Sequence, residues 1–228
     1  MFNRMMNRKN PAWWRPAIGV AASILILSVS GTAQVKQPDA PAAATSPTYE
    51  EMVGKLKQGD LSIDFTDLRM KYAASPQYEP EEGSDQVKQM YEALNQKDFQ
   101  GALKTANGIL DKQYVNIDAH IVASEAYKGL NNDAMAKLQH DIVIGLAHSI
   151  LGSGNGATPA SAYKVISIAE EYALMRLMGW RPQKQSYLHQ GKRSYDEMEM
   201  LNTQDNSILT VYFDVTLSDQ QMEKSLGH

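Results

Sequence analysis

The chain has no cysteine. That excludes disulfides, thiolate metal sites, a cysteine nucleophile and attachment through a lipidated cysteine. Other short signatures of chemistry are missing too. There is no Gly-x-Ser-x-Gly elbow, since Gly152-Ser153-Gly154 is too short and follows a helical rather than a strand pattern. The two-histidine zinc motif of proteases is absent, and the same glycine segment has neither the spacing nor the Lys-Ser/Thr of a phosphate-binding loop. No strand precedes it, so it is not a dinucleotide fingerprint.

Acid is missing from the first 33 residues, which carry Arg4, Arg8, Lys9 and Arg15, an uncharged run from Ala17 to Val29, and then Ser30, Gly31, Thr32 and Ala33. This is the layout of a secretory signal peptide, with cleavage expected after Ala33. The run of 13 residues spans about 20 Å as a helix. That falls short of the roughly 30 Å hydrocarbon core, so no stable membrane insertion is expected after cleavage. The alternative is an uncleaved inner-membrane anchor starting near Trp13 and Trp14, whose indoles suit the headgroup zone. Removing residues 1–33 leaves eighteen basic against twenty-six acidic side chains, a formal charge of minus eight. A cationic surface for nucleic acid is therefore not expected.

Residues 34–48, with Pro38, Pro41, Pro47 and Ala42-Ala43-Ala44, read as a linker. From there residues 49–217 are expected to form a single helical domain, and residues 218–228 a polar tail. Thr48 is placed to cap a helix carrying Tyr49, Met52, Val53 and Leu56, and Asp64 to cap one carrying Phe65, Leu68 and Tyr72. Residues 75–83 read as a loop. Residues 87–148 then show a register of thirty-four residues: Ala93-Leu94, a polar turn at Lys97-Asp98 and Ala102 are echoed by Tyr127-Lys128, Asn131-Asn132 and Ala136. That period predicts tetratricopeptide-like antiparallel helical hairpins, with helices over 86–95, 99–110, 118–128 and 134–150.

Thr158-Pro159 predicts the start of a helix of about twenty residues, ending at Gly179 and forming the central packing element. Alternation at Tyr195 to Met200, a polar turn at 202–206 and a β-rich run from Ile208 to Val215 predict a two-stranded hairpin packed on the helices. The expected fold class is mostly α (α+β).

Ile63-Asp64-Phe65, Leu68-Arg69, Tyr72, Tyr78-x-Pro80, Ala119-His120, His148-Ser149-Ile150, residues 152–156, Ala162, Glu170-Glu171-Tyr172 and Tyr212-Phe213-Asp214-Val215 together resemble the uncharacterised bacterial secreted family called domain of unknown function 4919. The resemblance spans about residues 49–216 and implies export, without implying an activity. Where that family often shows Ser-Gly-Asp-Gly, this chain has Asn155.

Gly152, Ser153, Gly154, Asn155, Gly156 and Thr158 form the first candidate ligand site, because a glycine turn feeding a helix N-terminus presents amide N–H groups to an anion. The competing reading is a plain break between helices. His148, Glu171 and Arg69 are the candidate catalytic residues. Glu170 and Glu171 interrupt an apolar stretch, so at least one of them needs a partner, for which Arg69, Arg176 and His148 are available. His140 and His148 are too far apart along one helix to share a metal, and no metal or cofactor is expected. The leading expectation is an exported, non-enzymatic helical scaffold that binds a protein or peptide, in the periplasm of a Gram-negative bacterium or secreted. The alternative is a small hydrolase or anionic-ligand-binding protein with a cleft near Arg69, His148, residues 152–156 and Glu171.

Overall fold

The structure, a computed structural model, describes residues 46–79 and 84–225; the expected signal peptide and most of the linker lie outside the described residues. From Pro47 onward the described residues form one compact unit.

Six of the described helices begin where a side chain satisfies their free amides. Thr48 and Glu51 form a reciprocal capping box on α1 (Tyr49–Lys57). Asp64 accepts from the amides of Thr66 and Asp67 at the start of α2 (Phe65–Ala73). After α3 (Ser84–Asn95), Asp98 caps α4 (Phe99–Leu110), Asn116 caps α5 (Ile117–Gly129) and Asn132 caps α6 (Asp133–Leu151). Helices α3 to α6 pack in sequence on one another, and α3 also meets α5, giving the helical-repeat-like layer that the register predicts. Ala102, Ala106, Ala119, Ala123 and Ala126 are all buried, so small side chains let these backbones approach closely.

The long helix expected from Pro159 to Met178 is not formed as one piece. A single 3-10 turn (Pro159–Ser161) leads into a two-residue strand β1 (Tyr163–Lys164), and α7 (Ile168–Met178) starts only after Ser167, whose hydroxyl caps the Glu170 amide. Ala162, Val165 and Ile166 are buried, as an apolar helix face would be. They are buried instead from an extended segment, because Tyr163 and Lys164 pair with Phe213 and Asp214. Gly179, at φ 69°, ends α7 as expected.

The predicted hairpin is present as β3 (Arg193–Asn202) and β4 (Ile208–Asp214), inside a larger sheet with β2 (Trp180–Gln190) at its far edge. The order is β1-β4-β3-β2, parallel between β1 and β4 and antiparallel elsewhere. Asp196, Met198 and Met200 share the buried face with Val211 and Phe213, while Glu199 and Thr210 face outward. Strand β2 is exposed along most of its length and carries Pro182 and a register shift before Lys184, features that blunt a free sheet edge. Helix α7 packs against β2, α6 against β1, and a last helix, α8 (Thr216–Ser225), against β3. Part of the segment read as a polar tail is therefore helical.

Candidate functional site

Arg69 is carried by α2 on the same face as Leu68 and Tyr72, and is 1% exposed. Its Nε donates to Glu170 Oε1 at 2.7 Å and its Nη2 to Glu170 Oε2 at 2.5 Å, a two-pronged pair closed by a 3.0 Å bond from Nη2 to the Lys164 carbonyl and a 3.2 Å bond from Nη1 to Ser149 Oγ. Glu170 also accepts the Ile166 amide at 2.9 Å, and Tyr78 donates its hydroxyl to the Ile166 carbonyl. The guanidinium thus ties α2, α6, β1 and α7 together. Of the two glutamates in the apolar stretch, the paired one is Glu170.

Glu171 turns the other way. It is fully buried, and neither carboxylate oxygen receives a hydrogen bond from an N–H or O–H among the described residues. The acid that acts on it most is Asp196 on β3, and Glu170 and Asp219 act in the same direction. Burial pushes Glu171 well above the ordinary carboxylate range, and the Asp196 contact pushes the same way. Burial also raises Asp196, against the pull of a 2.8 Å bond from Gln185 Nε2 and of the Glu171 contact. The two carboxyls can form a hydrogen bond only while one of them keeps its proton, and their mutual contact raises Glu171 and lowers Asp196, which favours the proton on Glu171.

The glycine turn consumes its own amides. Asn155 and Gly156 both donate to the Ser161 carbonyl at 3.0 and 2.8 Å, and Ala157 donates to Asn155 Oδ1 at 3.0 Å. The Thr158 amide meets Ser161 Oγ at 3.2 Å, while Ser153 Oγ donates to the Ile150 carbonyl at 2.6 Å and accepts the Lys164 amide at 2.8 Å. A Cβ on Gly154 would sit 2.3 Å from the Ser161 carbonyl oxygen, so glycine is there for close backbone approach. The helix expected to follow is only the three-residue turn, too short to aim a dipole at an anion.

His148 is exposed in the last turn of α6, and it is Ser149 that reaches Arg69. Of the sequence-expected neighbourhood, Arg69 reaches the residue after His148 through Ser149 Oγ, and Lys164, whose carbonyl it binds, donates its amide to Ser153 of the glycine turn. The neighbourhood's functional groups are divided: Arg69 is closed by Glu170, the turn amides by Ser161, Glu171 faces Asp196, and His148 faces solvent.

His120 is wholly buried between the Tyr114 carbonyl, 2.7 Å from Nε2, and the Gln139 amide, 2.5 Å from Nδ1. Burial holds its pKa below the usual histidine value. The atom at Nδ1 is Gln139 Oε1, so both ring nitrogens face oxygens; a neutral ring donates from Nε2 to the Tyr114 carbonyl and accepts at Nδ1 only with the Gln139 amide turned over to present its NH₂ group. Among the described residues no group of three or more histidines and acids could hold a metal ion.

A second charged set, which sequence reading treated as ordinary helix, lies where α3, α5 and α7 meet. Asp118 is 2% exposed and accepts from Tyr91 Oη at 2.8 Å, from Arg176 Nε at 2.9 Å and from Arg176 Nη2. The guanidinium carbon also lies 5.9 Å from the centre of the Tyr91 ring. Burial works against the Arg176 charge, and Asp118 more than offsets it. An acid embedded among Ile117, Ala119, Ile121 and Val122 was the available sequence signal. Next to Asp118, between the N-termini of α5 and α7, is a cavity of about 10 Å³ bordered by Gln113, Asn116, Ile166 and Ser167, with space for about one water. Helix α7 presents Ile168, Tyr172 and Arg176 outward at four-residue spacing; Ile168 is 39% and Tyr172 37% exposed.

None of the described helices is long and apolar enough to cross a membrane. Neither a curated protein nor a solved structure matches the chain. Residues 41–224, most of its length, match the domain of unknown function DUF4919, and the chain belongs to that family.

Proposed function

We propose that the protein is an exported, non-enzymatic helical scaffold, released by cleavage after Ala33, that binds a protein or peptide partner through the outward face of α7. In this reading α3–α4 and α5–α6 are two tetratricopeptide-like hairpins, and α7 is joined to α5 by the Arg176–Asp118 pair. The observation that carries the reading is the strip of Ile168, Tyr172 and Arg176. Two large apolar side chains stay exposed beside a cation that is already oriented by Asp118 and Tyr91. An aromatic, an aliphatic and an arginine on one rigid helix supply the side-chain types that dominate binding hot spots. Meanwhile Arg69, Glu170, Asp118 and His120 are committed to internal partners, which suits a framework.

The test is a photo-crosslinking amino acid placed at position 172 of the full chain in producing cells, with position 137 on α6 as the control. A discrete adduct at 172 and none at 137 is expected. No adduct at 172, or the same adducts from both positions, would contradict the proposal.

A further inference from the structure

Strand β2 is the open end of the sheet: β3 pairs with it on one side, and among the described residues no strand pairs with the other. Residues 180–193, the strand and its turn, carry Arg181, Lys184, Lys192 and Arg193 and no acid, in a chain of formal charge -4. Arg193 reaches Asp214 at 3.8 Å, but among the described residues Arg181, Lys184 and Lys192 have no acid within ion-pair distance. The register brings two of these cations together. Arg181 pairs with Leu201, Pro182 with Met200 and Lys184 with Glu199, so Gln183 is an extra residue. Three positions apart on a regular strand, Arg181 and Lys184 would face opposite sides. The extra residue turns both to the face of Leu201 and Glu199, away from the buried Met198 and Met200. From Lys184 to Gln190 the pairing is regular and free of proline. On that stretch Tyr187 is 58% exposed, yet its hydroxyl donates to Asp219 at 2.6 Å and meets Ser194 Oγ at 2.9 Å, which fixes the ring in place.

We infer that the free edge of β2 from Lys184 to Gln190 takes an extended acidic segment of another protein as an added strand, with acids at alternate positions meeting Lys184 and Arg181. An open edge holds a row of amide N–H and carbonyl groups ready to pair; that pairing supplies affinity, and side chains at every second position supply selectivity. The charge decides the occupant. A second copy of the chain would bring the same four cations against one another, and like charges across a strand pair destabilise it, whereas opposite charges contribute about 0.2–1 kcal/mol each. Pro182 and the extra residue blunt only the front of the strand. Residues 1–45 do not supply the added strand, since they carry five basic side chains against the single acid Asp39. A flat anionic membrane is disfavoured, because Glu197 and Glu199 share the face of Lys184 and leave no plane of one sign. The inference does not depend on a partner at α7.

The experiment is amide hydrogen exchange on the full chain with a capped peptide of about nine residues alternating glutamate and valine, and with a lysine–valine peptide as its counterpart. Strand addition slows every second amide between 184 and 190, those pointing away from β3, and leaves the intervening ones as they were. With the glutamate peptide at about 2 mM, a slowing of about fivefold or more is expected at those alternate amides, which corresponds to a Kd of about 0.5 mM or tighter. The amides of α5 should not change. The slowing should be lost at about 0.5 M salt and in Arg181→Glu/Lys184→Glu, whose two side chains are exposed and whose melting should match wild type. No slowing, equal slowing by the lysine peptide, or slowing that persists both in high salt and in the charge-reversed variant would overturn the inference. So would alternate slowing without peptide that grows with protein concentration, which assigns the edge to a second copy. Protection of the same amides by phosphatidylglycerol vesicles and not by the peptide would assign it to a membrane and be equally contradictory.

Discussion

Replacing Arg69 with alanine should be among the most damaging single changes available to this protein. The guanidinium is 1% exposed and makes four hydrogen bonds, two of them to one carboxylate. Its loss leaves Glu170, itself 4% exposed, as a buried charge with only the Ile166 amide to stabilise it. Breaking a buried pair from one side costs about 3–5 kcal/mol, because the penalty is the abandoned charge rather than the lost attraction. A domain of this size is stable by only about 5–15 kcal/mol, so Arg69→Ala should shift the urea midpoint far to the left or leave the chain unfolded. Urea titration followed by far-ultraviolet circular dichroism reads the midpoint, with the slope checked for a change in the transition. Glu170→Gln and the double variant Arg69→Met/Glu170→Gln complete the cycle. The double change should cost less than the sum of the singles by roughly 2 kcal/mol or more, since it leaves no unpaired ion. A loss below about 1 kcal/mol for Arg69→Ala, or strict additivity in the cycle, would refute the clamp.

His120 should impose an acid limit on stability. Its folded-state pKa lies below the ordinary value of 6.5, so its contribution is complete above that pH and is lost as pH falls through the lowered value. His120→Gln should flatten the acid limb of thermal stability against pH while costing about 1–3 kcal/mol at neutral pH; an acid limb identical to wild type would argue that the ring is not the group responsible. Two glycine changes separate backbone from side-chain crowding. In Gly154→Ala the new methyl meets the Ser161 carbonyl, which cannot move without breaking the turn, so about 1–3 kcal/mol should be lost; in Gly145→Ala it meets the outer edge of the half-buried Phe65 ring at 2.4 Å, which can swing aside. Chemical denaturation showing Gly145→Ala to be the costlier change would contradict this assignment.

The helical half was legible in the sequence because its information is local. Thr48 and Asp64 mark helix starts through their own side chains and are the caps found in the structure, while Asp98, read as part of a polar turn, caps the helix that follows it. The sheet half was only partly legible. The β3–β4 hairpin showed through alternation, but β2 has no buried face to alternate against and carries a proline, so nothing in its pattern announced a strand. The segment before α7 misled for a related reason. Ala162, Val165 and Ile166 fit a helical face by spacing, while their actual burial depends on pairing with residues some fifty positions away. Ser167 followed by Glu170 was a local start signal that the Thr158-Pro159 pair overshadowed. For the charged groups, the sequence showed that a glutamate in an apolar helix needs a partner and offered Arg69 among the choices. Which glutamate it would be, and that the other would face Asp196, depends on the crossing of α7 over the sheet, which no local pattern encodes.

The central claim is that the outward strip of α7 carries the partner. Its most direct test is the affinity of the protein captured at position 172 for purified wild type, Tyr172→Ala and a Lys137→Ala control, each shown to melt as wild type. A hot-spot tyrosine should cost about 2 kcal/mol, so Tyr172→Ala is expected to weaken binding about thirtyfold while the control binds as wild type. Equal affinity for Tyr172→Ala and wild type would contradict the account.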